Sequence, residues 1–479
     1  MKKILLMIVV FAGIFSCTDD ITGLNQNTKD ATVVPAAYLF TNAQKNVVDQ
    51  MVSTNVNLNV FRLFTQQWTE TTYTDESNYD VGTRTIPDNH WAILYRDVLM
   101  DLKESKRYLQ LYAPATPAEE AENANRIAIV DILTAYSYSV LVDTFGDVPY
   151  SESLDVEAYP LPVYDDGETI YRDLIAKLTA ASAALDSGYD SFGSADLIYG
   201  GDVSKWKLFA NSLRLQMAIN MDDIDHAYAT TQVLAAVAAG VITSNSDNTA
   251  LQYLSAQPNA NPVFVDVVAS GRDDFVPTST IINKMNALND PRRAVYFTQV
   301  GGIYEGGIPG ASNNFDNFSH IGDALLEPTI EGLIMDASQV EFLLAEAVER
   351  GIAVGGTAES HYNAAITASM SYWGVSLGDI ATYLAQPSVA YATAAGTWKQ
   401  KIGEQAYLAL YNRGLESWTS YRRLDFPVLI APVDADVNQV PTRLTYPARE
   451  ETLNATNNAA AAAAIGGDTL LTKIFWDVF

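Results

Sequence analysis

Cys17 is the residue whose type and position most clearly indicate chemistry, because it is the only cysteine in a chain of 479 residues. It follows two lysines and an apolar run at residues 4–15, which is the layout of a bacterial secretory signal peptide. A small residue before a lone cysteine suits lipoprotein processing, in which the thiol receives a diacylglyceryl group. We therefore predict that residues 1–16 are a signal peptide that is removed, and that Cys17 carries acyl chains such as palmitate.

The next residues and the overall charge indicate how the mature protein is held. Residues 18–34 are polar and without periodicity, so we predict that 17–34 comprise the lipidated cysteine and a flexible tether, followed by one folded domain at 35–479. Loss of residues 1–16 removes two lysines and no acid, which changes the formal net charge from −28 to −30. Such acidity repels nucleic acid and anionic lipid. We exclude nucleic acid as a partner and expect membrane attachment through the lipid anchor only.

Side chains suited to catalysis form no recognisable constellation in the sequence. The four histidines stand apart without an HExxH spacing, and no GxSxG motif occurs. Adjacent acid pairs such as Asp165-Asp166 are no more frequent than random placement of 57 acids among 479 residues gives. A surface glycoside hydrolase with two carboxylates stays open as an alternative. We predict that the protein is not an enzyme and has no catalytic residue, metal or cofactor.

Most of the chain has the hydrophobic periodicity of α-helices, so we predict an all-α fold. Thr116-Pro117-Ala118-Glu119 is a capping box that opens a helix to about Asp143. Asp336 caps another helix, which Gly351 ends. Further helices are predicted at 36–66, 89–112, 167–186, 204–220, 224–239, 357–373, 396–412, 414–425 and 447–464.

Two stretches depart from a simple series of helices. Residues 241–335 are rich in glycine, asparagine and aromatics, and a loop-rich segment of this length is usually functional or disordered. We predict an ordered, functional insertion. Tyr362 and Ala365 follow the small-aromatic-small spacing of a tetratricopeptide-type helix. An ordinary helical hairpin explains that spacing equally well, and we predict several stacked helix pairs.

Several segments, in order along the chain, together resemble the SusD/RagB family of nutrient-binding outer-membrane lipoproteins, which are SusD-like proteins. Each is weak alone, but together they cover nearly the whole chain. They are "DTFGDVPYSE" at 143–152, "WKLFANSLR" at 206–214, "DPR" with "YF" at 290–297, "SQVEFLLAEAVERG" at 338–351, and "ESW", "RR", "PTRL" and "YP" between 416 and 447.

The resemblance implies an all-α body of stacked tetratricopeptide-like helix pairs with loops that hold a ligand. It implies a lipid-anchored protein exposed on the cell surface at the outer membrane, and the Asp19-Asp20 pair resembles the acidic export signal of such proteins. The implied function is carbohydrate binding for glycan uptake, in which the protein captures an oligosaccharide and acts as the lid of a SusC-like TonB-dependent transporter. A peptide ligand, as in one branch of the family, and a purely structural lid are the alternatives.

A glycan site needs aromatic rings that stack on the C–H faces of sugars, with polar groups near the hydroxyls. Two loops have this composition, at 68–80 and 301–320, and Arg272 adds a polar group. We predict that both loops form one site. Trp68 equally suits the buried end of a helix, and loop aromatics often cover a core. The predicted ligand-binding residues are Trp68, Tyr73, Tyr79, Arg272, Tyr304, Asn313, Asn314 and Phe315.

Overall fold

The computed structural model describes residues 34–479. The predicted signal peptide, the lipidated Cys17 and nearly all of the tether lie outside the described residues. Within them the fold is dominated by helices, as the sequence predicts. The seventeen α-helices of the described part are α1 Ala36–Val52, α2 Phe61–Phe64, α3 Ile86–Ala92, α4 Met100–Leu111, α5 Pro117–Phe145, α6 Gly167–Ala184, α7 Val203–Asn220, α8 His226–Ala239, α9 Ser279–Ala287, α10 Arg293–Tyr296, α11 Ala337–Glu349, α12 Ala358–Tyr372, α13 Leu377–Leu384, α14 Trp398–Ala409, α15 Gly414–Leu424, α16 Ala448–Leu453 and α17 Ala455–Ala464.

The longer helices pack as successive pairs, which is the arrangement of tetratricopeptide-like folds. The most extensive contacts are between α1 and α4, between α5 and α6, between α7 and α8, and between α11 and α12. Neighbouring pairs stack, since α6 also contacts α7 and α11 contacts α14. One large hydrophobic core runs through the domain, and a smaller one lies among α11 to α15 around Tyr362 and Ile366.

The predicted caps at two of these helices are present. The Thr116 hydroxyl accepts from the Glu119 N–H at 3.2 Å and opens α5. The Glu119 carboxylate reaches back to the N–H of Ala115 at 2.7 Å, one residue before the expected partner. Asp336 accepts from the Gln339 N–H at 2.8 Å and opens α11. Helix α5 is long and apolar enough to cross a membrane, but its most apolar window is 83% buried, as in a core helix.

The predicted helix at 36–66 is two helices, because polar side chains end the first one. Asn59 donates its amide to the carbonyls of Gln50 and Met51, at 2.9 and 3.1 Å. Arg62 donates to the carbonyls of Val52 and Ser53, each at 2.7 Å. These groups satisfy carbonyls that a helix end leaves without partners. Residues 53–60 therefore form a turn between α1 and α2.

The segment at 241–335 holds short elements, as predicted, and three of the four short strands of the described part. Strand β1 (Trp68–Glu70) pairs antiparallel with β3 (Phe275–Pro277), and β2 (Thr249–Leu251) pairs antiparallel with β4 (Gly332–Met335). The first ribbon ties the insertion to residues 68–70, and the second ribbon joins the two ends of the insertion to each other.

Candidate ligand-binding site

The β1–β3 ribbon brings two of the predicted residues to one cleft. Glu70 is opposite Phe275 in the register, and beyond it the Thr71 N–H donates to the Asp274 carbonyl at 2.9 Å. The segment that follows β1 and the segment that precedes β3 therefore lie side by side. Tyr73 and Arg272 both line a cleft of about 480 Å³ at this point.

Tyr73 offers an accessible aromatic face in the cleft. Its side chain is 71% exposed, and its backbone is left-handed, with a φ of 55°. A positive φ is uncommon for a tyrosine and occurs often at functional sites, where the surrounding structure holds it. Arg272 lies in the segment just before β3, with its Nε 2.6 Å from the Asp274 carboxylate. An aromatic face beside paired polar groups can stack on a ring and bond to its substituents.

Several residues that line the cleft are absent from the predicted set. Asn55 and Asn57 come from the turn after α1, and Gln257 and Asp266 come from the insertion. The Asp266 carboxylate accepts from the N–H and hydroxyl of Thr54, at 3.3 and 3.1 Å, and burial raises its pKa. The asparagines that alternate from 55 to 59 are a turn signal inside the predicted helix.

Glu70 lines the cleft and belongs to a buried carboxyl pair. The Ser77 backbone N–H and hydroxyl both donate to Glu70 at 2.9 Å. Burial, and then the charge of Glu76, raises the pKa of Glu70 to about 8. Glu76 forms an ion pair with Arg84, while its Oε2 has no partner among the hydrogen bonds of the described residues. Burial and the neighbouring Glu76 therefore favour the protonated form of Glu70 at neutral pH.

The prediction that Trp68 and Tyr79 bind the ligand is wrong, because both side chains are buried in the core. Trp68 is 1% exposed, and its Nε1 donates to the Tyr411 hydroxyl at 2.8 Å. Tyr79 is fully buried, and its ring packs edge-on against Phe64. All three residues of β1 are buried. Neither ring is available for stacking on a ligand.

The second predicted loop meets the first through backbone and amide contacts. The Asn313 side chain donates to the Ala311 carbonyl at 2.7 Å and accepts from the Ile308 N–H at 2.9 Å. The backbone N–H of Asn313 donates to the Thr71 carbonyl of the first loop at 3.1 Å. Asn313 is 5% exposed, which corrects its prediction as a ligand contact. Gly310 is required here, since a Cβ would lie 2.4 Å from the Asn78 side chain.

Tyr304, Asn314 and Phe315 do not line the cleft, although all three are described. Tyr304 is half-buried, with its ring 5.1 Å from the Arg293 guanidinium carbon. Phe315 is half-buried and stacks on His320 at 3.7 Å. Asn314 is exposed and accepts from the Asp316 N–H at 3.1 Å. The two loops touch, but the aromatics of the second loop face other partners.

Stacked helix pairs and a surface cleft built by loops describe a tetratricopeptide-like helical protein with a candidate ligand site. A family model described as starch-binding and associating with the outer membrane matches residues 27–447. The chain belongs to this SusD-like family, which confirms the predicted SusD/RagB membership and supports association with the outer membrane.

Solved structures agree with this assignment. A chitin-binding protein is 26% identical with a TM-score of 0.80, over 93% of this chain and 100% of its own. A SusD homologue from Bacteroides uniformis is 26% identical with a TM-score of 0.78, over 92% and 100%. A chitin-binding SusD homologue from Flavobacterium johnsoniae is 25% identical with a TM-score of 0.77, over 92% and 98%. No curated protein sequence matches this chain significantly.

Proposed function

We propose that the protein captures oligosaccharide in the cleft that Tyr73 and Arg272 line. The observation that carries this proposal is an accessible aromatic face in a cleft whose other groups are mostly polar. Sugars need this combination, since their C–H faces are apolar and their hydroxyls donate and accept hydrogen bonds. Membership of a family described as starch-binding, and likeness to two proteins named as chitin-binding, support a carbohydrate over a peptide.

The proposal includes the place of capture and the fate of the ligand. The acyl chains on Cys17 hold the protein at the outer face of the outer membrane. There it acts as the lid of a SusC-like TonB-dependent transporter, to which it delivers the oligosaccharide. A Cys17→Ser protein is expected to bind oligosaccharide normally in solution and to fail to support uptake by cells. Normal uptake by this variant contradicts the anchoring role.

The protein acts in this proposal as a binder and leaves the sugar intact. Two structural relatives are named as chitin-binding proteins, which supports binding over hydrolysis.

The test is calorimetry on the full chain in detergent, with malto-oligosaccharides, N-acetylated chito-oligosaccharides and mixed peptides as three separate ligands. Saturable binding of either sugar series, with the sugar recovered at its original length, is the expected result. Binding of peptides alone contradicts the carbohydrate assignment. Shortened sugar products contradict the assignment as a binder.

A further inference from the structure

The Tyr73–Arg272 cleft continues into two further clefts along helix α1. It shares Asn55, Val265 and Asp266 with a second cleft of about 500 Å³. The second cleft shares Lys45 with a third, of about 460 Å³, nearer the start of α1. Because each cleft shares lining residues with the next, the three adjoin one another along α1, and we call this series of clefts the α1 groove.

One face of α1 contributes the floor of this groove. Tyr38, Asn42, Lys45 and Asp49 line the second and third clefts. They are spaced by three or four residues, so their side chains lie on one stripe of the helix. At 1.5 Å per residue, the stripe from the first to the last of them is about 17 Å long. A ligand that follows the groove is therefore an extended chain of several units.

Both ends of the groove present an accessible tyrosine. Tyr73 at one end is 71% exposed, and Tyr38 at the other end is 67% exposed. Tyr38 lines the third cleft together with Leu254, which is 58% exposed. Between the ends, the lining of the second cleft mixes polar residues such as Asn46 with apolar residues such as Ile93. Two aromatic platforms joined by a floor of mixed polarity suit a linear oligosaccharide that stacks at each end.

The charges of the groove favour a neutral chain. Among the described residues that line it, all four cations are paired with carboxylates. Arg96 is 2.6 Å from Asp97 and Arg272 is 2.6 Å from Asp274, while Lys45 pairs with Asp49 and Arg84 with Glu76. The paired carboxylates offset the positive charge of these four side chains, and the protein as a whole has a formal net charge of −28, which disfavours an anionic sugar. Hydroxyl groups can bond to the pairs without separating them.

We infer that the ligand is a neutral, linear oligosaccharide that occupies the α1 groove from Tyr73 to Tyr38. This inference rests on the proposed function and deepens it, because it specifies the length and charge of the ligand and adds Tyr38 as a second stacking residue.

The experiment measures affinity against ligand length on the full chain in detergent, with malto-oligosaccharides and N-acetylated chito-oligosaccharides from disaccharide to hexasaccharide. The unaltered protein should bind the hexasaccharide of its preferred series about tenfold more tightly than the disaccharide, which is ~1.4 kcal/mol. Tyr38→Ala should remove most of this gain and leave disaccharide affinity unchanged. Tyr73→Ala should weaken both ligands. Tyr159→Ala is the matched control, since Tyr159 is 45% exposed and lines none of the three clefts.

Each result decides between the proposals. Equal affinity for short and long sugars, or an unchanged hexasaccharide affinity in Tyr38→Ala, overturns the extended groove while the Tyr73 cleft stands. Tighter binding of an oligogalacturonate than of the neutral hexasaccharides overturns the neutral class. Failure of the unaltered protein to bind either neutral series or the oligogalacturonate contradicts the proposed function itself. Melting temperatures of all variants verify that they are folded.

Discussion

The loops at 68–80 and 301–320 have similar compositions, but the fold uses them differently. Both mix aromatics with short polar residues. In the first loop, Tyr73 stands in the cleft, while Trp68 and Tyr79 are buried on either side of it. In the second loop, Tyr304 and Phe315 lie against Arg293 and His320. Strand pairing and the neighbours of each ring therefore decide which loop aromatic is free for a ligand.

The largest expected effect concerns the buried ring of the first loop. Trp68→Ala should lower the free energy of unfolding by about 3–5 kcal/mol, because it removes a large buried side chain and leaves a cavity. Trp68→Phe should cost less, since it retains most of the packing. Denaturant unfolding measures both. An unchanged stability combined with lost sugar binding would show that Trp68 contacts the ligand and would contradict its role in the core.

The next effect concerns the contact between the two loops. Asn313→Ala should lower the free energy of unfolding by about 1–3 kcal/mol. It removes the bond that the amide donates to the Glu70 carbonyl of the first loop, at 3.3 Å, and the bonds of the side chain to the Ile308 and Ala311 backbone within the second loop. The neighbouring Asn314→Ala is the control and should have a smaller effect, since Asn314 is exposed. Thermal unfolding compares the two variants. Equal effects would mean that the Asn313 side chain does not hold the loops together.

The comparison predicts opposite outcomes for one tyrosine of each loop. Tyr73→Ala should weaken oligosaccharide binding about tenfold, close to the upper end of what one aromatic contact contributes. Tyr304→Ala should leave affinity unchanged, because its ring packs over Arg293 outside the cleft. Calorimetry at matched protein concentrations tests both. A loss of affinity in Tyr304→Ala would restore the prediction that both loops form one site.

The last expected effect is a pH dependence of stability that comes from Glu70 beneath the first loop. Its pKa is raised from 4.5 in the unfolded chain to about 8 in the fold. Below pH 4.5 both states hold the proton; between 4.5 and 8 only the folded state does, so the contribution of this group to stability falls as pH rises.

Glu70→Gln is the matched variant for this effect, since its amide imitates the protonated carboxyl. We expect the variant to be more stable than the unaltered protein at pH 8 and equally stable near pH 4. Thermal melts across this range measure the difference. A constant difference at all pH values would contradict a proton held by Glu70.

Much of the helical body follows from local sequence, and the departures have physical causes. Thr116 and Asp336 cap helices as predicted, because a cap needs only the residues of its own first turn. The predicted helix at 36–66 is interrupted, because Arg62 and Asn59 fold back onto the carbonyls at the end of α1. Hydrophobic periodicity carries no information about these contacts from residues beyond the helix end. The asparagines at 55, 57 and 59 are the sequence feature that indicates a turn there.

The family, the helical class and the importance of Tyr73 and Arg272 could be predicted from the amino-acid sequence. Signals of this kind are local, since capping, periodicity and short motifs depend on neighbouring residues. The burial of Trp68 and Tyr79 and the clefts along α1 are visible only in the folded protein. They depend on contacts between segments far apart in the chain, such as the pairing of β1 with β3, which are about 200 residues apart. Burial is a property of such distant contacts, so the composition of a loop cannot determine it.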